Sequence, residues 1–128
     1  MNRVTGIGGI FFEVDDRESM AEWYRSHLGI DVGEGAFAMF PWRHDSDPEK
    51  PGATIWALFP RDTDYFSPGN APFMINYRVD DLDAVLTQLR AEGVQVDERI
   101  EDSDFGRFGW IVDPEGNRIE LWQPPPQQ

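Results

Sequence analysis

Residues 7–29 read IGGIFFEVDDRESMAEWYRSHLG, and residues 73–93 read FMINYRVDDLDAVLTQLRAEG. Each stretch begins with a run rich in apolar residues, continues with two aspartates and ends with an amphipathic segment followed by glycine. The first run predicts a strand, the aspartates predict a helix N-cap, and the glycine predicts the end of that helix. The chain therefore contains the same strand–helix unit twice.

The two units repeat at a nearly constant offset. The sequence VDD at 14–16 recurs at 79–81, 65 residues later, and Gly29 recurs as Gly93, 64 residues later. Further strands are predicted near 30–32, 36–42, 53–59, 94–96, 107–112 and 118–122. The pattern predicts an α+β fold of two βαβββ modules.

A single domain of residues 1–128 is expected from the length of the chain. Its parts are module one (1–60), a linker (61–72), module two (73–123) and a Pro-rich tail (124–128). Within module one, the polar segment 43–52 is predicted to be a loop that connects two strands of a hairpin.

The composition narrows the possible functions. A net charge of -13 argues against nucleic acid and anionic membranes as partners, and it is compatible with a cationic ligand. The absence of Cys excludes disulfides, and the N-terminal sequence does not have the pattern of a signal peptide. We therefore expect a cytoplasmic protein. Five Trp and nine Phe predict an aromatic-lined pocket or a subunit interface in addition to the core.

Two motifs add a family resemblance to the repeat. The helix ends in WYRSHLGI at 23–30, and the turn DPEGN at 113–117 precedes the final strand, which contains IELW at 119–122. Together with the repeat, these features resemble the vicinal-oxygen-chelate superfamily of glyoxalases, bleomycin-resistance proteins and extradiol dioxygenases. The resemblance implies a cupped mixed sheet with outer helices, a site in its hollow and a homodimer.

In the metal-using members of that superfamily, the ligands come from the first and last strands of each module. The resemblance maps these positions onto Gly9, Trp56, Met74 and Glu120. A catalytic divalent ion needs three or four His or carboxylate ligands, so one glutamate is not enough. His27 and His44 are expected to be structural or solvated. We therefore expect neither a metal nor another cofactor.

Because strand side chains alternate between the two faces of a sheet, the mapping also predicts the lining of the hollow. The predicted ligand-binding residues are Phe11, Glu13, Trp56, Leu58, Met74, Asn76, Arg78 and Trp122. Glu120 is either a general base, if burial raises its pKa, or a hydrogen-bonded structural residue. Glu13 and Arg78 either pair with each other or contact the ligand. Residues 105–108 form either a mobile edge of the pocket or an ordinary loop.

Three functions are compatible with these features. The first is a metal-free small-molecule binding protein that sequesters a cationic or aromatic drug, as bleomycin-resistance proteins do. The second is a glyoxalase-like lyase, isomerase or dioxygenase-type enzyme. It would use Glu120 as a base without a metal, or a metal site that the mapping misses. The third is an interaction module, in which a partner chain could complete the hollow.

Overall fold

A computed structural model describes residues 3–44 and 47–126. Within these ranges, seven strands form one mixed sheet and two helices lie outside it. This architecture confirms the predicted α+β class. The elements are β1 (Val4–Val14), α1 (Arg17–Leu28), β2 (Phe37–His44), β3 (Asp47–Pro60), β4 (Phe73–Val79), α2 (Leu82–Ala91), β5 (Gln95–Ser103), β6 (Gly106–Val112) and β7 (Arg118–Gln123).

Both helices begin at the second aspartate of a VDD sequence. The carboxylate of Asp16 accepts a hydrogen bond from the backbone N–H of Ser19 at 3.1 Å, and that of Asp81 accepts one from Ala84 at 3.1 Å. Each cap satisfies an N–H group that has no partner inside the helix, which is worth about 1 kcal/mol. The first helix ends at Gly29, whose φ of 68° is easily adopted by glycine.

The two modules meet edge to edge at the centre of the sheet. The strand order is β2-β3-β1-β4-β7-β6-β5, with β1 and β4 antiparallel. On either side of this seam, β1 pairs in parallel with β3 and β4 pairs in parallel with β7. The repeat in the sequence therefore becomes an approximate two-fold relation between the modules.

The predicted strand at 30–32 is wrong, because these residues are irregular. A tight turn follows them, with Gly35 and Ala36 at φ of 83° and 61°. The backbone N–H of Gly33 bonds to the carbonyl of Phe37 at 3.0 Å across this turn. Module one therefore contributes three strands to the sheet and module two contributes four.

The predicted loop at 43–52 is also largely wrong. The second strand continues to His44 and the third begins at Asp47, while residues 45 and 46 lie outside the described residues. Trp42 pairs with Gly52, and a Cβ atom built at Gly52 would lie 2.3 Å from the indole. The glycine thus lets the indole cover the strand, so a polar, Pro-containing segment extends a hairpin. Residues 127 and 128 of the predicted tail also lie outside the described residues.

Apolar side chains pack on both faces of the sheet. One cluster lies beneath α1 and includes Val14, Ala21, Val32 and Leu58. A second lies beneath α2 and includes Val79, Leu82, Leu86 and Leu121. A third packs on the opposite, concave face and includes Phe11, Phe66, Met74 and Trp110. Neither helix in the described part of the chain combines the length and apolar character needed to span a membrane.

Candidate functional site

A cavity of about 440 Å³ opens on the concave face of the sheet. Its walls come from both modules, on either side of the β1–β4 seam. They are mainly aromatic and aliphatic. The lining residues are Gly8, Phe11, Phe37, Met39, Ile55, Asn76, Asp104, Phe105, Phe108, Trp122 and Pro125.

Strand pairing determines which side chains reach the cavity. Met39 pairs with Ile55 across β2 and β3, so both side chains lie on the concave face. Phe108 pairs with Trp122 across β6 and β7, and their rings stack with centroids 6.0 Å apart and an interplanar angle of 4°. Module two thereby presents a flat aromatic wall opposite the aliphatic residues of module one.

The turn between β5 and β6 forms the rim of the cavity. Phe105 is 73% exposed, although it is a large apolar residue that lines the opening. Its carbonyl accepts a hydrogen bond from the indole N–H of Trp122 at 2.7 Å. This bond ties the rim to the aromatic wall and uses the only donor of that indole.

A bulge in β1 places a glycine at the floor of the cavity. The pairing of β1 with β4 shifts register between Ile7 and Gly9, so Gly8 faces the cavity. A Cβ atom at Gly8 would lie 2.1 Å from Oδ1 of Asn76 and 2.8 Å from the ring of Trp122. The position has no room for a side chain, because Asn76 and Trp122 occupy that space.

Glu120 lies behind the floor and is 1% exposed. Its Oε1 accepts a hydrogen bond from Nδ2 of Asn76 at 2.6 Å. Its Oε2 accepts from the indole N–H of Trp110 at 2.9 Å and from the hydroxyl of Tyr65. Burial raises the pKa of Glu120 above its usual value, and these three hydrogen bonds oppose the shift. Burial and the adjacent carboxylate together raise the pKa of Tyr65.

The structure brings three of the predicted ligand-binding residues to the cavity. Phe11, Asn76 and Trp122 all line it. Met74 is 1% exposed and packs in the cluster with Phe11, away from the lining. The site thus contains part of the predicted set, and the role of these residues in binding stays a prediction.

The predicted orientation of Trp56 and Leu58 is wrong. Both pack beneath α1, where the ring of Trp56 lies 4.9 Å from that of Tyr24. The error is one residue of register. The 64-residue offset pairs Glu120 with Trp56, whereas the 65-residue offset of the VDD sequence pairs it with Ile55. Ile55 is the residue of β3 that lines the cavity.

The proposed ion pair between Glu13 and Arg78 is also wrong. Because β1 and β4 run antiparallel, Arg78 pairs with Gly6 at one end of the seam. Glu13 lies at the other end, where its backbone N–H bonds to the carbonyl of Pro72 at 2.8 Å. Six residues of strand separate the two positions, a distance of about 20 Å. Equivalent positions in the two modules are therefore far apart.

Arg78 lies behind the aromatic wall. Its guanidinium lies 5.3 Å from the ring centroid of Trp42 and 5.1 Å from that of Trp122, within the range of cation–π attraction. It also donates a hydrogen bond to the carbonyl of Ala53 at 3.2 Å. Burial lowers the pKa of Arg78. Arg78 thus supports Trp122 from behind and does not line the cavity.

The donor set does not fit a metal ion. With the register corrected, the four family ligand positions are Gly9, Ile55, Met74 and Glu120. Three of these lack a suitable donor, and both oxygens of Glu120 already accept hydrogen bonds. Across residues 3–44 and 47–126, no three His, Cys, Asp or Glu side chains are placed to hold an ion together.

Sequence reasoning missed two groups of site residues. Tyr65 and Trp110 hold Glu120, and neither lies at a position that the repeat singles out. Phe37 and Met39 are 44% and 55% exposed on an edge strand. Their alternation in β2 was a usable signal, since large apolar residues at alternate exposed positions often mark a binding face. Tyr65 gave no such signal, because it lies in the linker.

Comparisons with known proteins agree with this architecture. A variant of methylmalonyl-CoA epimerase from Streptomyces coelicolor is 23% identical, with a TM-score of 0.70 and 98% of each chain covered. The epimerase from Mycobacterium tuberculosis is 23% identical, with a TM-score of 0.62, covering 98% of this chain and 92% of its own. An NAD-dependent benzaldehyde dehydrogenase from Legionella pneumophila is 18% identical, with a TM-score of 0.59, covering 89% and 96%.

These structures share the fold at low identity. No curated protein matches the chain by sequence. The family model described as "Glyoxalase/Bleomycin resistance protein/Dioxygenase superfamily" matches residues 6–121, which is most of the chain. The protein therefore belongs to the glyoxalase/bleomycin resistance protein/dioxygenase superfamily.

Proposed function

We propose that this protein binds a small, mainly apolar or aromatic molecule in the cavity of the concave face, without a metal ion. The observation that carries the proposal is the cavity itself, about 440 Å³ in volume. Small-molecule sites typically have this size and combine an apolar lining with a few polar groups. Here Asn76 and Asp104 are the polar groups.

The charge of the lining favours a neutral or cationic ligand. Asp104 is the one charged residue among the described residues that line the cavity. The net charge of -13 adds a field that repels anions. The coenzyme A ester of the structurally similar epimerases carries several negative charges, and this lining offers no Lys or Arg from the described residues to meet them.

Isothermal titration with indole, naphthalene, bleomycin and methylmalonyl-CoA would test this proposal. We expect saturable binding of the neutral aromatics or the cationic drug, and none of the coenzyme A ester. Phe105→Ala removes an exposed lining ring and should weaken binding. Leu28→Ala removes a side chain that is 59% exposed on α1, so it is the matched control. If none of the four probes binds, the cavity is not a ligand site of this kind.

A second candidate is an enzyme that moves a proton on the bound molecule, with Glu120 as the base. Several structurally similar proteins are epimerases, which supports this alternative over non-catalytic drug sequestration. The raised pKa of Glu120 suits a base that works close to neutral pH. Glu120 lies behind Asn76, so a proton would have to reach it by way of Asn76 or Tyr65.

Proton exchange into solvent would test the enzymatic candidate. A panel of aromatic ketones would be incubated with the protein in D₂O, and loss of the protons next to the carbonyl would be followed by NMR. An enzyme of this kind should catalyse exchange, and Glu120→Gln should abolish it while binding persists. Exchange that is unchanged in Glu120→Gln would exclude Glu120 as the base.

The homodimer and the cytoplasmic location stay predictions. Light scattering coupled to size-exclusion chromatography tests the first. A dimer should elute with about twice the monomer mass of 14.7 kDa.

A further inference from the structure

We infer that the ligand of this cavity carries a hydrogen-bond donor, an N–H or O–H on a flat apolar ring, which Asn76 accepts through Oδ1. This inference rests on the proposed binding function and specifies the chemistry of the ligand. It makes Asn76 the residue that determines specificity and Glu120 the residue that positions it.

Asn76 has an acceptor that the protein leaves unused. The residue is 1% exposed and lines the cavity. Its Oδ1 is buried and has no hydrogen-bond partner among the described residues. A buried acceptor without a donor is unfavourable, and a native structure seldom keeps one without a reason. A donor supplied by a ligand removes this cost.

The orientation of the amide follows from its neighbours. Nδ2 of Asn76 donates to Oε1 of Glu120 at 2.6 Å. An ionised carboxylate only accepts hydrogen bonds, so it requires the NH₂ end of the amide. Trp110 and Tyr65 both donate to Oε2 and hold the carboxylate in place. The oxygen of Asn76 must therefore point the other way.

The space in front of Oδ1 is open because position 8 is glycine. A Cβ atom at Gly8 would lie 2.1 Å from Oδ1 and would cover it. Gly8 and Trp122 both line the cavity beside Asn76. A planar ring placed along the wall of Phe108 and Trp122 can thus direct an N–H at the floor. A single acceptor among apolar walls selects for one donor on an apolar body.

Indole and benzofuran form a matched pair that tests the inference on the native protein. The two molecules have the same shape, but the ring N–H of indole is replaced by an oxygen in benzofuran. We expect indole to bind at least about tenfold more tightly, because benzofuran leaves the acceptor unpaired and adds a repulsive oxygen. Equal affinities would overturn the inference while the binding function stands. If neither binds, both fail.

Glu120→Gln adds a reversal that a purely structural role would not produce. The NH₂ group of the new glutamine can donate to Asn76, so the amide of Asn76 should turn and present its own NH₂ to the cavity. The preference should then change from indole to benzofuran. Glu98→Gln removes the same charge at an exposed site and should keep the preference for indole. A folded Glu120→Gln protein that still prefers indole would overturn the positioning role of Glu120.

Discussion

Replacement of Gly8 by alanine tests the geometry of the cavity floor most directly. The new Cβ atom would lie 2.1 Å from Oδ1 of Asn76, 2.8 Å from the ring of Trp122 and 3.0 Å from Cγ of Arg78. A carbon and an oxygen that are not bonded normally stay more than about 3 Å apart, so Asn76 must move by about 1 Å. Trp122 and Arg78 restrict the movement of the backbone in the opposite direction.

The energetic cost can be estimated from these contacts. Asn76 is held on its far side by the 2.6 Å hydrogen bond to Glu120, so its displacement strains or breaks that bond. Overpacking of a buried site typically costs about 1–3 kcal/mol. For a chain of this length, each kcal/mol lowers Tm by about 4 °C. We therefore expect Gly8→Ala to lower Tm by about 4–12 °C.

Thermal unfolding followed by circular dichroism measures this change. Gly33→Ala is the matched control, because the nearest atom to a Cβ there is the carbonyl oxygen of Phe37 at 4.0 Å. That substitution should be neutral or stabilise the protein slightly, since alanine restricts the unfolded chain. Gly8→Ala should also reduce the preference for indole, because its methyl group covers the acceptor. A Gly8→Ala protein with unchanged Tm and unchanged affinity would refute this description of the floor.

Three further predictions concern Glu120 and the register of β3. Tyr65→Phe removes one donor to the buried carboxylate and should lower the free energy of unfolding by about 2 kcal/mol in urea titrations. Burial raises the folded-state pKa of Glu120 above the unfolded value of 4.5, so the folded protein binds the proton more tightly. The contribution of Glu120 to stability should fall as pH rises through this interval, and Glu120→Gln should flatten that part of the pH profile. Finally, Ile55→Trp should fill the cavity and block binding, whereas Trp56→Phe should lower stability without changing affinity; the reverse result would contradict the assigned register.

The sequence was sufficient to predict the repeat, the helix boundaries and the facing of β1 and β4. The VDD sequences mark the helix starts, and alternation correctly separates Phe11 from the residues beneath α1. The strand at 30–32 failed because local apolar residues do not reveal the turn at Gly35 and Ala36. Strand propensity describes a residue, whereas sheet pairing depends on where the chain turns.

The candidate site was only partly predictable. One residue of offset decided between Ile55 and Trp56, because a shift of one position moves a strand side chain to the other face. The contact of Tyr65 with Glu120 joins positions 55 residues apart, through a linker with no periodic pattern. Long-range contacts of this kind depend on the packing of the whole chain and have no signature in local sequence.

The seam between β1 and β4 has a consequence for folding. Gly8, Phe11 and Ile55 come from one module and Asn76, Phe108 and Trp122 from the other, so neither module forms the cavity alone. A ligand that needs both walls binds only after the modules dock. It should therefore raise the apparent cooperativity of unfolding and protect the amides of β1 and β4 from hydrogen exchange. Occupancy of the cavity would then act as a clamp that holds the two halves of the repeat together.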